Sequence, residues 1–159
     1  MPPGTFLVLC TGNSCRSQMA EAFLRRRLGD RMPVASAGTE PAERVHPLAI
    51  QVMAEKGLDL RSHRPKDLRE FLGRARVHTV ATLCDRAAES CPTTWPGAFR
   101  RIHAPFEDPA SASGSPEERL EVFRRVRDAI EAQVAAWVTE LEALGSLPAS
   151  TSSRSTTAP

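Results

Sequence analysis

Residues 5–10, TFLVLC, form a continuous apolar run that breaks into the polar loop TGNSCR and then into a helix-forming stretch from Ser17 to Leu28. A short, uninterrupted apolar run is the pattern of a strand buried on both faces. Such a strand needs a layer above and below it, which narrows the chain to a parallel sheet covered by helices. The rest of the sequence continues the alternation. Pro33–Ala37 reads as a second strand, ending at Gly38. Pro47 suits the first turn of a helix running to about Lys56, with Gly57 as its C-terminal cap. Val77–Leu83 is a β-branched strand followed at once by Cys84, and Arg101–Ala104 is a weaker fourth strand leading into PFEDPA. Ser115, Pro116 and Glu118 place a cap, a first-turn proline and a capping-box glutamate in order. Leu120, Phe123, Val126, Ile130, Val134, Trp137 and Leu141 then follow at helical spacing and read as core.

At 159 residues and 41% hydrophobic, the chain suits one globular domain with a sizeable core. That domain is expected over residues 1–144; residues 145–159 offer almost nothing to bury and read as a disordered tail. A net charge of +2 is too mild to argue for nucleic acid, and Arg25, Arg26 and Arg27 read as a solvated helix face. No segment approaches the ~20 apolar residues that span a bilayer. The N-terminus lacks a charged leader, so a cytoplasmic monomer is expected, in a compartment where thiols stay reduced. The four cysteines there read as catalytic, redox-active or metal-binding rather than as structural disulfides.

Cys10 and Arg16 stand with five residues between them, in a loop joining a strand to a helix start. Such a loop presents backbone N–H groups that have no intrahelical partner, and the helix dipole adds positive charge. Thr11, Gly12, Asn13, Ser14, Cys15, Arg16 and Ser17 are therefore expected to cradle an oxyanion, with Arg16 gripping two of its oxygens. No G-x-x-x-x-G-K-[ST] occurs, so this is not a nucleotide-binding loop. The same positive surroundings favour the thiolate of Cys10, which stands where the anion would lie. Ser17 is expected to donate a hydrogen bond to that thiolate, and Asn13 to pin the loop through its amide. In parallel sheets ligands sit beyond the carboxyl ends of the strands. Cys10, Cys84 and the segment after Ala104 all fall at expected strand ends.

CTGNSCRS resembles the phosphate-binding loop, C-x5-R-S, of the low-molecular-weight protein tyrosine phosphatase fold. That resemblance implies a general acid at an Asp-Pro pair late in the chain, and Asp108-Pro109 stands there. A phosphatase has no use for two more thiols at its mouth, yet TLCDRAAESCP supplies Cys84 and Cys91. With them, residues 5–140 resemble the thioredoxin-coupled arsenate reductases built on the same fold. The resemblance implies a three-layer α/β architecture with a central four-stranded parallel sheet flanked by helices. It further implies that Cys10 attacks arsenate with Asp108 as proton donor, that a Cys10–Cys84 disulfide forms as arsenite leaves, and that a Cys84–Cys91 disulfide follows. Reduced thioredoxin is the implied electron donor, phosphate and sulfate are the implied competing oxyanions, and no cofactor stays bound.

If residues 84–91 were helical, the Cα atoms of the two cysteines would lie roughly 10 Å apart, beyond the ~7 Å limit for a disulfide. The segment is therefore expected to be helical when reduced and to unwind on oxidation. Cys15 contributes its backbone N–H to the cradle and its sulfur to packing. Two rivals stand beside the reductase. One is a phosphatase working through a phosphocysteine at Cys10. The other is a zinc module, disfavoured by cysteine spacings at or beyond the loose end of ligand patterns. His46 is placed to cap the second helix, and His78 reads as a structural strand histidine. Some reductases of the resembled family hold potassium near the loop at positions like Asn13, Glu21 and Ser36. Here Arg64 and Lys66 stand about where the remaining ligands would be, which makes a potassium site doubtful.

Overall fold

Phe6, Leu7, Val8 and Leu9 are all fully buried, so the first strand, β1 (Thr5–Cys10), has no solvent face. The computed structural model describes residues 4–85 and 94–148. Around β1 it builds a four-stranded sheet in the order β2-β1-β3-β4, every pairing parallel, from β2 (Val34–Gly38), β3 (Val77–Thr82) and β4 (Arg100–His103). Cys10 pairs with Gly38 on one side of β1, and Leu9 with Thr82 on the other. The strand ends fall within a residue of those expected from the sequence.

Alternation along β1 divides the core into two. Phe6, Val8 and Cys10 face a large cluster built with α1 (Arg16–Leu28), α2 (Pro47–Ala54) and α3 (Pro116–Ala143). Trp137 of α3 sits beneath the central strand, its ring 5.6 Å from that of Phe6. Leu7 and Leu9 face a smaller cluster with Val77, Val80 and Trp95, backed by Leu68 of a one-turn 3-10 helix (Leu68–Glu70) and by Phe71. The sheet is thus the middle of three layers. Each fully buried leucine or phenylalanine contributes about 1.5–3 kcal/mol against exposure, so β1 alone pins both layers to the sheet.

Helix ends follow local chemistry. The Ser115 hydroxyl accepts from the Glu118 N–H at 3.1 Å, and the Glu118 carboxylate accepts from the Ser115 N–H at 3.2 Å. α2 stops at Ala54 rather than Lys56, because Gly57 turns left-handed at φ 76° and the Leu58 N–H returns to the Met53 carbonyl. α1 begins at Arg16, one residue before the expected start. Among the described residues, no helix is long and apolar enough to cross a membrane. Cys91, residues 86–91 of the expected helix and the tail from residue 149 lie outside the described residues.

Strand order positions the site. β1 has β2 on one side and β3 on the other, so the connections leaving its carboxyl end diverge and open a crevice there. The residue at that carboxyl end is Cys10.

Candidate active site

The loop between β1 and α1 is held by its carbonyls. The carbonyls of Cys10, Thr11, Gly12 and Ser14 accept from the N–H groups of Thr39, Glu40, Ala42 and His46 at 2.9–3.3 Å. In a planar trans peptide the N–H points opposite to the C=O. The N–H groups of Thr11, Gly12, Asn13 and Cys15 are therefore turned away from the 39–46 segment, toward the Cys10 side. Asn13 makes this visible: its N–H donates to Cys10 Sγ at 3.2 Å. Immediately beyond, α1 brings the positive end of its dipole. The result is a concave ring of donors around one buried sulfur, which is what a tetrahedral oxyanion requires.

Asn13 adopts φ 49°, the left-handed region that Asn tolerates better than most residues. Its orientation is set by a donor that cannot be reversed. The Lys66 backbone N–H reaches Asn13 Oδ1 at 2.8 Å, so the amide NH2 must face the other way, toward Ser17 Oγ (2.6 Å) and Ser36 Oγ (2.9 Å). Ser17, already accepting from Asn13, is left with its own proton to give. Cys10 Sγ lies 2.9 Å from it. The order Asn13 to Ser17 to Cys10 thus aims a hydroxyl proton at the sulfur.

Arg16 is 2% exposed, and its Nη1 donates to the Phe106 carbonyl at 3.1 Å. Its Nη2 lies 4.0 Å from Asp108 Oδ2. Asp108 caps the one-turn helix Pro109–Ser111, accepting from the Ala110 N–H at 3.0 Å, and its carboxylate stays half-buried. It lines an open groove of about 670 Å³ together with Asp85, Phe106 and Glu107. A smaller groove of about 350 Å³, lined by Ser14, Arg44 and His46 among others, flanks the loop. His46 caps α2, its Nδ1 accepting from the Leu48 N–H at 3.1 Å, and burial pulls its pKa below the usual value.

The other cysteines differ sharply from Cys10. Cys15 is 3% exposed, and burial pushes its thiol up to about 12, so it stays protonated at neutral pH and packs within the helix-side core. Cys84 is fully buried and disulfide-bonded, whereas Cys10 and Cys15 are free thiols. Leu83 donates its N–H to the Leu9 carbonyl at 2.8 Å, so Cys84 follows β3 beside the point where β1 delivers Cys10. The structure therefore gathers Cys10, Arg16, Cys84 and Asp108 at one edge of the sheet.

Three residues support the loop through contacts that the sequence did not show. A Cβ on Gly38 would come within 2.4 Å of the Thr11 carbonyl oxygen, so only glycine lets β2 pass this closely. Gln18 donates to Asn13 and to the Arg64 carbonyl from a fully buried helical position. Lys66 binds Asn13 through its backbone. A buried glutamine beside the loop was the one available signal; the other two contacts join segments far apart in sequence. Among the described residues, no group of three or more His, Cys, Asp or Glu side chains is arranged to hold a metal ion.

Residues 5–146 match the family described as low molecular weight phosphotyrosine protein phosphatase. An arsenate reductase of Halalkalibacterium halodurans is 49% identical over 123 residues, which cover 77% of this chain and 86% of the relative. A solved arsenate reductase in its oxidised state is 30% identical and superposes with a TM-score of 0.69, over 87% of this chain and 98% of the other. The thioredoxin-dependent arsenate reductase of Corynebacterium glutamicum shares the fold at 23% identity and a TM-score of 0.65, over 89% of this chain and 63% of the other. The chain belongs to the low molecular weight phosphotyrosine protein phosphatase family, on the branch that holds the arsenate reductases.

Proposed function

We propose that the protein reduces arsenate to arsenite by a three-thiol relay regenerated by thioredoxin. The observation that carries this reading is a fully buried, disulfide-bonded Cys84 at the strand end beside a free Cys10. Phosphoryl transfer uses a single thiol, so a second one buried at the site has a redox role. The donor ring and Arg16 bind the arsenate oxygens, and phosphate or sulfate competes for the same place because shape and charge are shared.

The Cys10 thiolate attacks arsenic. An arsenate oxygen leaves as water with a proton from Asp108, and a Cys10–arsenic(V) bond forms. The Cys84 thiolate then attacks Cys10 sulfur. The sulfur–arsenic bonding pair stays with arsenic, which departs as arsenite, two electrons richer, while Cys10 and Cys84 are joined. Cys91 attacks Cys84 in turn, expels Cys10 as a thiolate and leaves a Cys84–Cys91 disulfide. The thioredoxin dithiol reduces that bond by the same exchange. Reduction by thioredoxin fits a cytoplasmic setting.

The test couples arsenate to NADPH oxidation through thioredoxin and its reductase. Wild type should turn over, and Cys84→Ser should fall to background while still hydrolysing an activated aryl phosphate. Arsenate reduction that survives Cys84→Ser would leave the phosphatase as the better reading, with Cys10 forming a phosphocysteine.

A further inference from the structure

Glu21 is a carboxylate buried in α1, 3% exposed, and its Oε1 finds no hydrogen-bond donor among the described residues. A buried carboxylate needs compensating charge. Its Oε2 lies 3.3 Å from His63 Nδ1, a ring that also meets Gln18 Oε1 at 3.1 Å. Its Oε1 is approached by Arg25 at 3.8 Å and by Lys66 Nζ at 4.0 Å. Arg25 is more than half exposed and donates to the Val34 carbonyl, so water screens much of its charge. Lys66 is 16% exposed, and its ammonium is steadied by the Arg64 carbonyl at 3.1 Å. It is therefore the compensating charge that is both fixed and sheltered.

The surrounding oxygens do not suit a bound potassium ion. Asn13 Oδ1 already accepts from Gln18 Nε2 at 3.1 Å and from the Lys66 N–H at 2.8 Å, which uses both of its lone pairs. Ser36 Oγ accepts from Asn13 Nδ2. An ion placed against Glu21 would also meet the Lys66 ammonium, a like charge.

We propose that Lys66 is a positioning residue whose tethered ammonium neutralises Glu21 and thereby holds the oxyanion loop without any bound monovalent cation. Residue 66 is tied to that loop and to the end of β2 beside it: its N–H donates to Asn13, and its carbonyl accepts from the Gly38 N–H at 2.8 Å. If Glu21 loses its counter-charge, the unpaired carboxylate draws water between this strap and α1, Asn13 loosens, and the Cys10 donor ring opens. The inference rests on the oxyanion-binding reading of the loop and not on the redox chemistry, so inorganic phosphate is the probe.

Lys66→Met keeps the side-chain stem and both backbone contacts and removes the ammonium, with its charge and its hydrogen bond to the Arg64 carbonyl. Phosphate affinity and thermal midpoint are measured in potassium, sodium and tetramethylammonium chloride at equal ionic strength. Wild type should be indifferent to the cation. In tetramethylammonium, Lys66→Met should bind phosphate about tenfold more weakly, because a buried carboxylate is left uncompensated. Adding Glu21→Gln, which removes the carboxylate itself, should restore most of that loss in all three salts. The wild-type salt comparison needs no variant and stands even if Lys66→Met folds poorly. Wild-type binding that strengthens specifically with potassium overturns the proposal, as does a Lys66→Met protein with unchanged affinity in tetramethylammonium. A wild type that binds no phosphate in any salt overturns the oxyanion-binding reading, and the proposal with it.

Discussion

Cys10 and Cys15 stand five positions apart in one loop, yet their surroundings assign them opposite chemistry. Cys10 meets an N–H and a hydroxyl, while Cys15 faces the helix-side core, and burial raises its thiol from 9.0 to about 12. The folded state therefore keeps a proton that the unfolded chain releases. That stability is fully present below the unfolded value and is lost as pH rises toward the folded one, by at most about 1.4 kcal/mol per unit. Urea melts between about pH 9 and 11 should show wild-type stability falling more steeply than that of Cys15→Ala. Parallel slopes would mean that Cys15 is not held protonated by burial.

At the scale of elements, α2 is coupled to the loop through its first residues. The His46 N–H donates to the Ser14 carbonyl at 3.0 Å, its ring accepts from Leu48, and that ring lies 4.8 Å from Phe123. Burial first, then the Arg119 and Arg44 charges, hold its pKa below 6.5. A lowered histidine pKa makes the neutral ring part of the fold. The stability this gives is fully present above the unfolded value and is lost as pH falls through it toward the lower folded value, where Nδ1 takes a proton and can no longer accept. His46→Asn offers an oxygen that does not titrate there. Thermal midpoints between about pH 7 and 5 should fall less in the variant, by the equivalent of about 1 kcal/mol, the usual value of an N-cap. A wild type no more acid-sensitive than His46→Asn would rule this out.

Across the whole molecule, the proposed relay requires the convergence of cysteines that the sequence separates by some seventy residues. Parallel pairing of β1 with β3 performs that convergence, and long-range pairing of this kind rests on the two-sided burial of β1. The proposed order of thiol exchange predicts a trap. Cys91→Ser, given arsenate and no reductant, should release a single arsenite per chain and stop as a Cys10–Cys84 disulfide, detected by peptide mass under non-reducing conditions. Wild-type turnover of Cys91→Ser with thioredoxin would mean that the third thiol is dispensable.

The strand-loop-helix start, the alternation of elements and the caps of α2 and α3 were legible in the residues. These depend on short-range chemistry: apolar periodicity, capping side chains and turn glycines. The loop's chemical types were legible for the same reason, since Cys10, Arg16 and Ser17 lie within eight consecutive residues. Tertiary structure alone decided what holds the loop in shape. Gly38 matters because β2 passes within contact of Thr11, and Lys66 because its strap crosses Asn13 and Glu21. Such contacts join segments whose proximity is set by sheet order, and no local pattern encodes the distance between them.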